Sequence, residues 1–311
     1  MDNCEQGKDV LGRCGTNPLI VIDDMPFRCA DIWNAAVAKV DDGYLLLITV
    51  ETLEGQYCIV RARSEDGLSF EIDPRPLVSQ QLSSPNAMYE SGGIRDPRIT
   101  RVNGWYYVTY TADGDHGLRI GLLKTEDFED FQWLAYVSQV DVKNGAMFPR
   151  QIDGHYTMLK RPDAGWSIWL SHSDDLTFWG REQCVMTPRG GHWDAHRIGP
   201  AGPPIEIDEG WLLLYYGEKS TSAGPLVRLG AAILDRQRPW LVTGRSNIPI
   251  LTPRERYERI GDVPNVVFSC GALLEGDELI VYYGASDSCI CRGTARLADV
   301  VATCHESERE F

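Results

Sequence analysis

The sequence predicts an all-β fold of five repeated antiparallel units, and three observations carry that prediction. First, a Gly or Asp turn followed by an aromatic and aliphatic run occurs five times, at 43–48, 104–110, 154–159, 210–216 and 277–283. The repeats start 61, 50, 56 and 67 residues apart. Second, each run is preceded by another short strand-like stretch and a polar turn, and followed by a third strand candidate. Third, no long amphipathic helical pattern lies between them. Repetition at this period marks an architecture whose units cannot bury their apolar faces alone and must stack. Five units of three or four strands read as a five-bladed β-propeller. Its expected extent is 17–301, with an N-terminal extension at 1–16 and a C-terminal tail at 302–311. A β-sandwich is the alternative, but sandwiches do not usually repeat a whole hairpin-plus-strand unit.

In chain order, the first unit runs 35–40, turns at Asp41-Asp42 into 43–48, and continues with 58–63. The second pairs 97–102 with 104–110 across Asn103-Gly104, followed by 118–123. The third pairs 148–152 with 154–159 across Asp153-Gly154, followed by 166–171. The fourth comprises 203–207, a turn at Asp208-Glu209, 210–216 and 227–233. The fifth comprises 266–274, a turn at Glu275-Gly276, 277–283 and 291–297. The hairpin assignments rest on turn chemistry, since Asn-Gly and Asp-Gly supply the positive φ that tight hairpins need. The third strands of the first three units also run into similar turns, Ser64-Glu65-Asp66, Thr125-Glu126-Asp127 and Ser173-Asp174-Asp175, each leading to an aromatic residue.

Composition bounds the function. The chain has 311 residues, 43% hydrophobic and 10% aromatic, which suffices for a large core. Its 45 acidic and 30 basic residues give a formal charge of -15, which argues against nucleic-acid and anionic-membrane partners. A neutral sugar fits that balance, and an anionic ligand requires a local concentration of the basic residues. Nine scattered cysteines include no Cys-x-x-Cys pair, which argues for free thiols in a reducing cytoplasm rather than a disulfide framework or zinc site. His155, His172, His192 and His196 likewise lack metal-ligand spacing, so no metal or other cofactor is expected. No secretory signal pattern or membrane-length apolar run is present. A homo-oligomer is compatible with the sequence.

The stretch Gly92-Gly93-Ile94-Arg95-Asp96-Pro97-Arg98 holds one carboxylate between a flexible Gly pair and a proline that biases Asp96 toward extended backbone. A carboxylate so directed suits a catalytic acid; Asp-Pro as an ordinary turn step is the bland alternative. In a propeller the first strand of each blade lies nearest the axis, so residues at its start share one funnel. That offset collects Asn34, Asp96, Lys143 with Asn144, the cluster Asp194, His196 and Arg197, and Asn265. Trp33, Tyr89, Trp193, Tyr216 and Tyr283 lie next to these positions, as sugar platforms or as packing between blades. Lys143, Lys160 and Arg161 flank the third hairpin and suggest an anion, with surface snorkelling as the alternative.

Several motifs resemble, in order, those of the family-130 β-mannoside phosphorylases and hydrolases. They are Asn34-Ala35-Ala36, 93–99, Lys143-Asn144 with Phe148-Pro149, 159–162, 210–212 with Tyr215-Tyr216-Gly217, 261–268, and 282–287. The resemblance runs from about Asn17 to Val301. It implies a five-bladed propeller cleaving β-mannosides with inversion, in most members with inorganic phosphate as co-substrate and α-mannose 1-phosphate as product. By this resemblance Asp96 is the proton donor, acting through a sugar hydroxyl. Asn34 and Asp287 hold the mannose, and Lys143, Asn144 and Arg161 contact phosphate. Trp33, Arg98, Asp194, His196, Tyr216 and Asn265 complete the expected sugar-binding set. A lone acid is consistent with inversion, because phosphate needs no carboxylate base.

Some positions depart from the family's pattern. Thr49 stands where relatives usually carry Arg, Tyr216 where they carry His, Val227 where Tyr is expected, and Arg95 where an acidic residue is common. These departures leave open β-mannoside hydrolysis, with Glu218 or Glu258 as the base that activates water, and a non-catalytic glycan-binding propeller. Linkage and acceptor preference are expected to depend on the loops at 79–91 and 220–225.

Overall fold

The computed structural model describes residues 9–41, 43–77 and 87–305. The fold is all-β, with twenty-two strands among the described residues, in five successive groups. Two short strands come first, β1 (Gly12–Arg13) and β2 (Ile20–Val21). The first group is β3 (Asp31–Val40), β4 (Gly43–Glu51), β5 (Tyr57–Ser64) and β6 (Glu71–Ile72). The second is β7 (Gly93–Val102), β8 (Trp105–Asp113), β9 (Arg119–Thr125) and β10 (Gln132–Tyr136). The third is β11 (Val142–Met147), β12 (Tyr156–Pro162), β13 (Ile168–Ser173) and β14 (Gly180–Met186). The fourth is β15 (Arg197–Pro200), β16 (Ile205–Ile207), β17 (Gly210–Thr221), β18 (Gly224–Leu234) and β19 (Val242–Arg245). The fifth is β20 (Val267–Glu275), β21 (Glu278–Ala285) and β22 (Cys289–Arg296).

Each group is an antiparallel meander. The first two groups also meet at a single parallel pair, Tyr57 with Gly93. The fifth is completed from the other end of the chain, since β1 and β2 both pair with β22, Gly12 opposite Thr294 and Ile20 opposite Ile290. Part of the segment expected to be an N-terminal extension is therefore built into the last sheet. Two helices follow late in the chain, α1 (Arg256–Arg259) and α2 (Leu297–His305). The second crosses the expected boundary at 301 and buries Val300, Val301 and Cys304. Asp42 of the expected first turn, Cys4 and most of the 79–91 loop lie outside the described residues.

Strands β3 and β4 are buried along almost their whole length, which requires cover on both faces. Five apolar clusters provide it. Ile59 and Val108 belong to one between the first and second groups; Tyr107 and Met158 join the second and third. Leu159 and Leu213 join the third and fourth, Leu229 and Val281 the fourth and fifth, and Ile48 and Ile280 the fifth and first. Every group thus packs on the next, and the last on the first.

Three strand expectations are corrected. The first strand of the third group is Val142–Met147 rather than 148–152, because Pro149 cannot donate to a ladder and Phe148 instead buries its ring edge-on against Trp211 at 5.0 Å. In the fourth group Pro203 and Pro204 break the expected strand, leaving β15 before them and β16 after. Trp166 lies in a 3-10 turn, Ala164–Trp166, ahead of β13.

The junction between chain ends is held by a buried carboxylate. Glu258 accepts from Arg13 Nε at 2.7 Å and Nη2 at 2.8 Å, from the backbone N–H groups of Arg254 and Glu255, and from the Tyr283 hydroxyl at 3.0 Å. Removing one partner of such a pair leaves charge uncompensated. Arg13→Ala is therefore expected to lower unfolding stability by about 3 kcal/mol, read as a lower urea midpoint at unchanged slope. An unchanged midpoint would show that the junction is held by packing alone.

Candidate active site

One backbone device repeats in the innermost strands. Register slips between Trp33 and Ala36 in β3, between Arg95 and Arg98 in β7, and between Lys143 and Ala146 in β11. At each slip sits a residue with left-handed φ: Asn34 at 47°, Asp96 at 54° and Asn144 at 60°. Asn and Asp tolerate that conformation best among residues with a side chain. A bulge of this kind re-aims a side chain out of the strict alternation of a strand. Here the three side chains converge. The N–H freed at Asp96 is satisfied by Thr49 Oγ1 at 2.9 Å, which gives this position a structural use. Gly284 leaves room for the convergence, because a Cβ there would lie 2.8 Å from Asn34 N and Oδ1.

The cavity they enter has a volume of about 170 Å³. Asn34 Nδ2 donates to Asp96 Oδ1 at 2.8 Å, fixing the carboxylate. Arg95 Nη1 reaches Asp96 Oδ2 at 3.4 Å while its Nε bonds Asp113 at 2.9 Å, and its guanidinium lies 5.4 Å from the Tyr57 ring centre. Lys143, Asn144, Arg197 and Tyr216 form a second, cationic part of the lining. Asn144 Oδ1 accepts from the Tyr216 hydroxyl at 3.3 Å and from Arg161 Nε at 3.4 Å. Arg161 is wholly buried behind it, and its Nη2 has no hydrogen-bond partner. Asn34 Oδ1 is likewise buried and unpartnered. Buried polar atoms are seldom left so.

The electrostatics divide the cavity. Burial pushes the Asp96 carboxyl up, but Arg95, Arg98, Lys143 and the Asn34 hydrogen bond outweigh it and hold the group below its ordinary range. Asp287, at left-handed φ of 50°, is pushed up to about 7 by burial and by the negative charges of Asp96 and Asp262. Lys143 is pushed down to about 8 by burial and by the cations Arg95 and Arg161. The surroundings of Asp287 thus resist further negative charge, and those of Lys143 resist further positive charge. The second can accept an anion, the first the hydroxyls of a neutral ligand.

Of the residues expected from sequence, the structure brings together Trp33, Asn34, Asp96, Lys143, Asn144, Tyr216 and Asp287 in this lining. Arg161 stands immediately behind it. Arg98 is buried beneath, donating to the carbonyls of Asp96, Pro200 and Ala201. Glu218 is buried and ion-paired to Arg197, with His196 Nε2 at 3.7 Å. Asp194 belongs elsewhere: it is fully buried in an ion cluster with Arg189 and Arg245 and accepts from the Tyr215 hydroxyl at 2.9 Å. Glu258 is consumed by the chain-end junction. Asn265 turns left-handed before β20 and presents its neighbour Val266 to the cavity. Lys160 is buried against Glu182 and Gln139. Trp193 stacks on Tyr215 at 5.4 Å, and Tyr89 packs on Tyr136 at 5.6 Å. Arg95, Val227, Val263 and Phe268 line the cavity without having been singled out as ligand contacts. The repeat held a signal for Arg95, since the residue preceding each bulge (Trp33, Arg95, Lys143) faces the cavity. Among the described residues no group of three His, Cys, Asp or Glu side chains is placed to hold a metal ion.

The sequence matches, across residues 8–306, the model of a known family described as β-1,4-mannooligosaccharide phosphorylase. The chain belongs to glycoside hydrolase family 130. Family-130 relatives include a β-1,2-mannobiose phosphorylase of Thermoanaerobacter sp. (strain X514), 38% identical over 297 residues, 89% of this chain and 94% of that one. Another is a β-1,4-mannooligosaccharide phosphorylase of Ruminococcus albus, 32% identical over 94% of this chain and 90% of the relative. The solved family-130 β-1,2-mannobiose phosphorylase of Listeria innocua superposes with a TM-score of 0.86 at 28% identity, covering 94% of this chain and 99% of that one.

Because Lys143 loses its charge as pH rises through about 8, the cationic wall weakens above that value and is intact below it. Affinity for inorganic phosphate, measured by calorimetry, is expected to fall several-fold between pH 7 and pH 9. A flat profile would mean that Lys143 does not meet the anion.

Proposed function

We propose that this family-130 chain is a five-bladed β-propeller that cleaves β-mannosides by inverting phosphorolysis, releasing α-mannose 1-phosphate. The five meanders, each packed on the next and the last completed by β1 and β2, support the propeller reading. The single observation that carries the reaction is the pairing, across one small cavity, of an oriented Asp96 with a cationic wall. That wall holds Lys143, Arg197 and the unpartnered Arg161 Nη2. A mannosyl ring seated on Asn34, Asp96 and Asp287 presents its anomeric carbon between them. Phosphate held by Lys143, Asn144 and Arg161 attacks from the opposite face to the leaving oxygen. Asp96 protonates that oxygen, through a sugar hydroxyl as the family resemblance implies.

In the free cavity Asp96 is a carboxylate, since cations hold its pKa down. A bound phosphate dianion offsets those cations and raises the Asp96 pKa toward what a general acid needs. Phosphate is thus both nucleophile and the counter-charge that lets the acid carry its proton. No cofactor is required. Hydrolysis would need a free carboxylate to activate water. Glu218 is committed to Arg197 and His196, and Glu258 lies at the chain-end junction. A cytoplasmic setting fits the cysteines, eight of which are free among the described residues. No helix among the described residues is long and apolar enough to cross a membrane.

Incubating the protein with β-mannobiose, with and without phosphate, tests this reading. Mannose 1-phosphate is expected only when phosphate is present, and phosphate-independent release of mannose would reject it. Asp96→Asn is expected to lower kcat by roughly 10²–10⁴-fold, the range for a lost general acid, with the fold retained by circular dichroism.

A further inference from the structure

Beside the cavity, one large aromatic side chain stands in solvent on strained backbone. Trp166 is 36% exposed and has φ of 46°, a conformation unfavourable for a bulky residue. It follows Gly165, also left-handed at φ of 75°, in a turn tied by Ser167 Oγ to the Gly165 carbonyl at 2.8 Å. This turn leads directly from Pro162, whose neighbour Arg161 backs the cationic wall. The indole does not fold inward. Its ring centre lies 4.4 Å from that of His196, whose side chain is 39% exposed, with the two planes inclined at 54°.

His196 is bound firmly to the cavity wall. It directly precedes Arg197, which lines the cavity, and its N–H donates to the Glu218 carbonyl at 2.9 Å. The Glu218 carboxylate in turn pairs with Arg197. Two exposed rings thus stand in contact next to the cavity wall, linked through Glu218 to Arg197 of its lining. An indole that is 36% exposed on left-handed backbone forgoes apolar burial and bears backbone strain, a combination in need of an explanation.

The size of the cavity supplies one. Its volume of about 170 Å³ is well below the roughly 300–1,000 Å³ of pockets that enclose drug-sized ligands, so it is too small to enclose a chain of sugar rings. Further rings of a chain must lie outside, across the rim. The apolar C–H face of a pyranose is the surface that an indole and an imidazole can cover, with its edge hydroxyls left in water.

The geometry points to Trp166 with His196 as a binding platform for a sugar ring of the leaving chain, which makes the protein selective for oligosaccharides over the free monosaccharide. This rests on the β-mannoside reading above. It does not depend on whether phosphate or water is the nucleophile.

Calorimetric titrations in phosphate-free buffer with mannose, β-mannobiose and β-mannotriose separate the two ideas. Trp166→Ala is expected to weaken mannotriose binding at least tenfold while mannose binding stays within twofold of wild type. Trp166→Phe, which keeps a ring, is expected to restore most of the loss. Unchanged mannotriose affinity in Trp166→Ala overturns the platform and leaves the β-mannoside reading standing. Parallel loss of mannose and mannotriose binding also overturns it, because the residue then supports the cavity rather than a chain. If wild-type protein binds none of the three sugars, the β-mannoside reading fails and the platform with it. Failure to form mannose 1-phosphate in the separate turnover assay, with the sugar titrations intact, removes phosphorolysis alone.

Discussion

The left-handed bulge shared by Asn34, Asp96 and Asn144 is the constraint on which the site depends. Each costs on the order of 1 kcal/mol relative to ordinary strand backbone and breaks a ladder that would otherwise run straight. The surrounding sheets over-determine it. Strand β7 is paired on both sides of its slip, Thr49 satisfies the released N–H of Asp96, and the absent Cβ of Gly284 admits Asn34. Polar side chains on three separate strands, β3, β7 and β11, instead meet at one cavity.

That convergence concentrates charge in a chain whose overall balance is strongly negative. Lys143, Arg161, Arg95 and Arg197 lie near enough together that burial and mutual repulsion pull the lysine pKa down. Arg95, Arg98 and Lys143 hold Asp96 ionised against the effect of burial, while Asp287 is driven up by burial and by its acidic neighbours. Such opposed shifts within one small cavity are characteristic of catalytic sites, where the protonation state of one group is set by the ligand bound to another.

Other buried carboxylates show how context separates structure from chemistry. Asp194 and Glu258 are each fully buried and each surrounded by arginine and tyrosine donors, so their charge is neutralised on the spot. Glu258 joins residues 245 positions apart in sequence and seals the fifth sheet to the start of the chain. Asp96, by contrast, keeps a face toward an open cavity. Burial and type of residue are alike in all three. The difference lies in whether the partners exhaust the oxygen lone pairs.

The five repeats, the strand-rich class, the hairpin turns and most cavity residues were legible in the sequence, because strand alternation and turn chemistry are local properties. Asp96, Asn34, Lys143 and Asn144 could be found by their common offset in the repeat. What local pattern cannot encode is which partner arrives from a distant strand. Asp194 and Glu258 look like site residues in sequence, and only the arrival of Arg189, Arg245 and Arg13 turns them into struts. The break at Pro149, the completion of the last sheet by Gly12 and Ile20, and the meeting of Trp166 with His196 were likewise decided by tertiary packing. These contacts join segments far apart along the chain, and their energies exist only once the sheets have stacked.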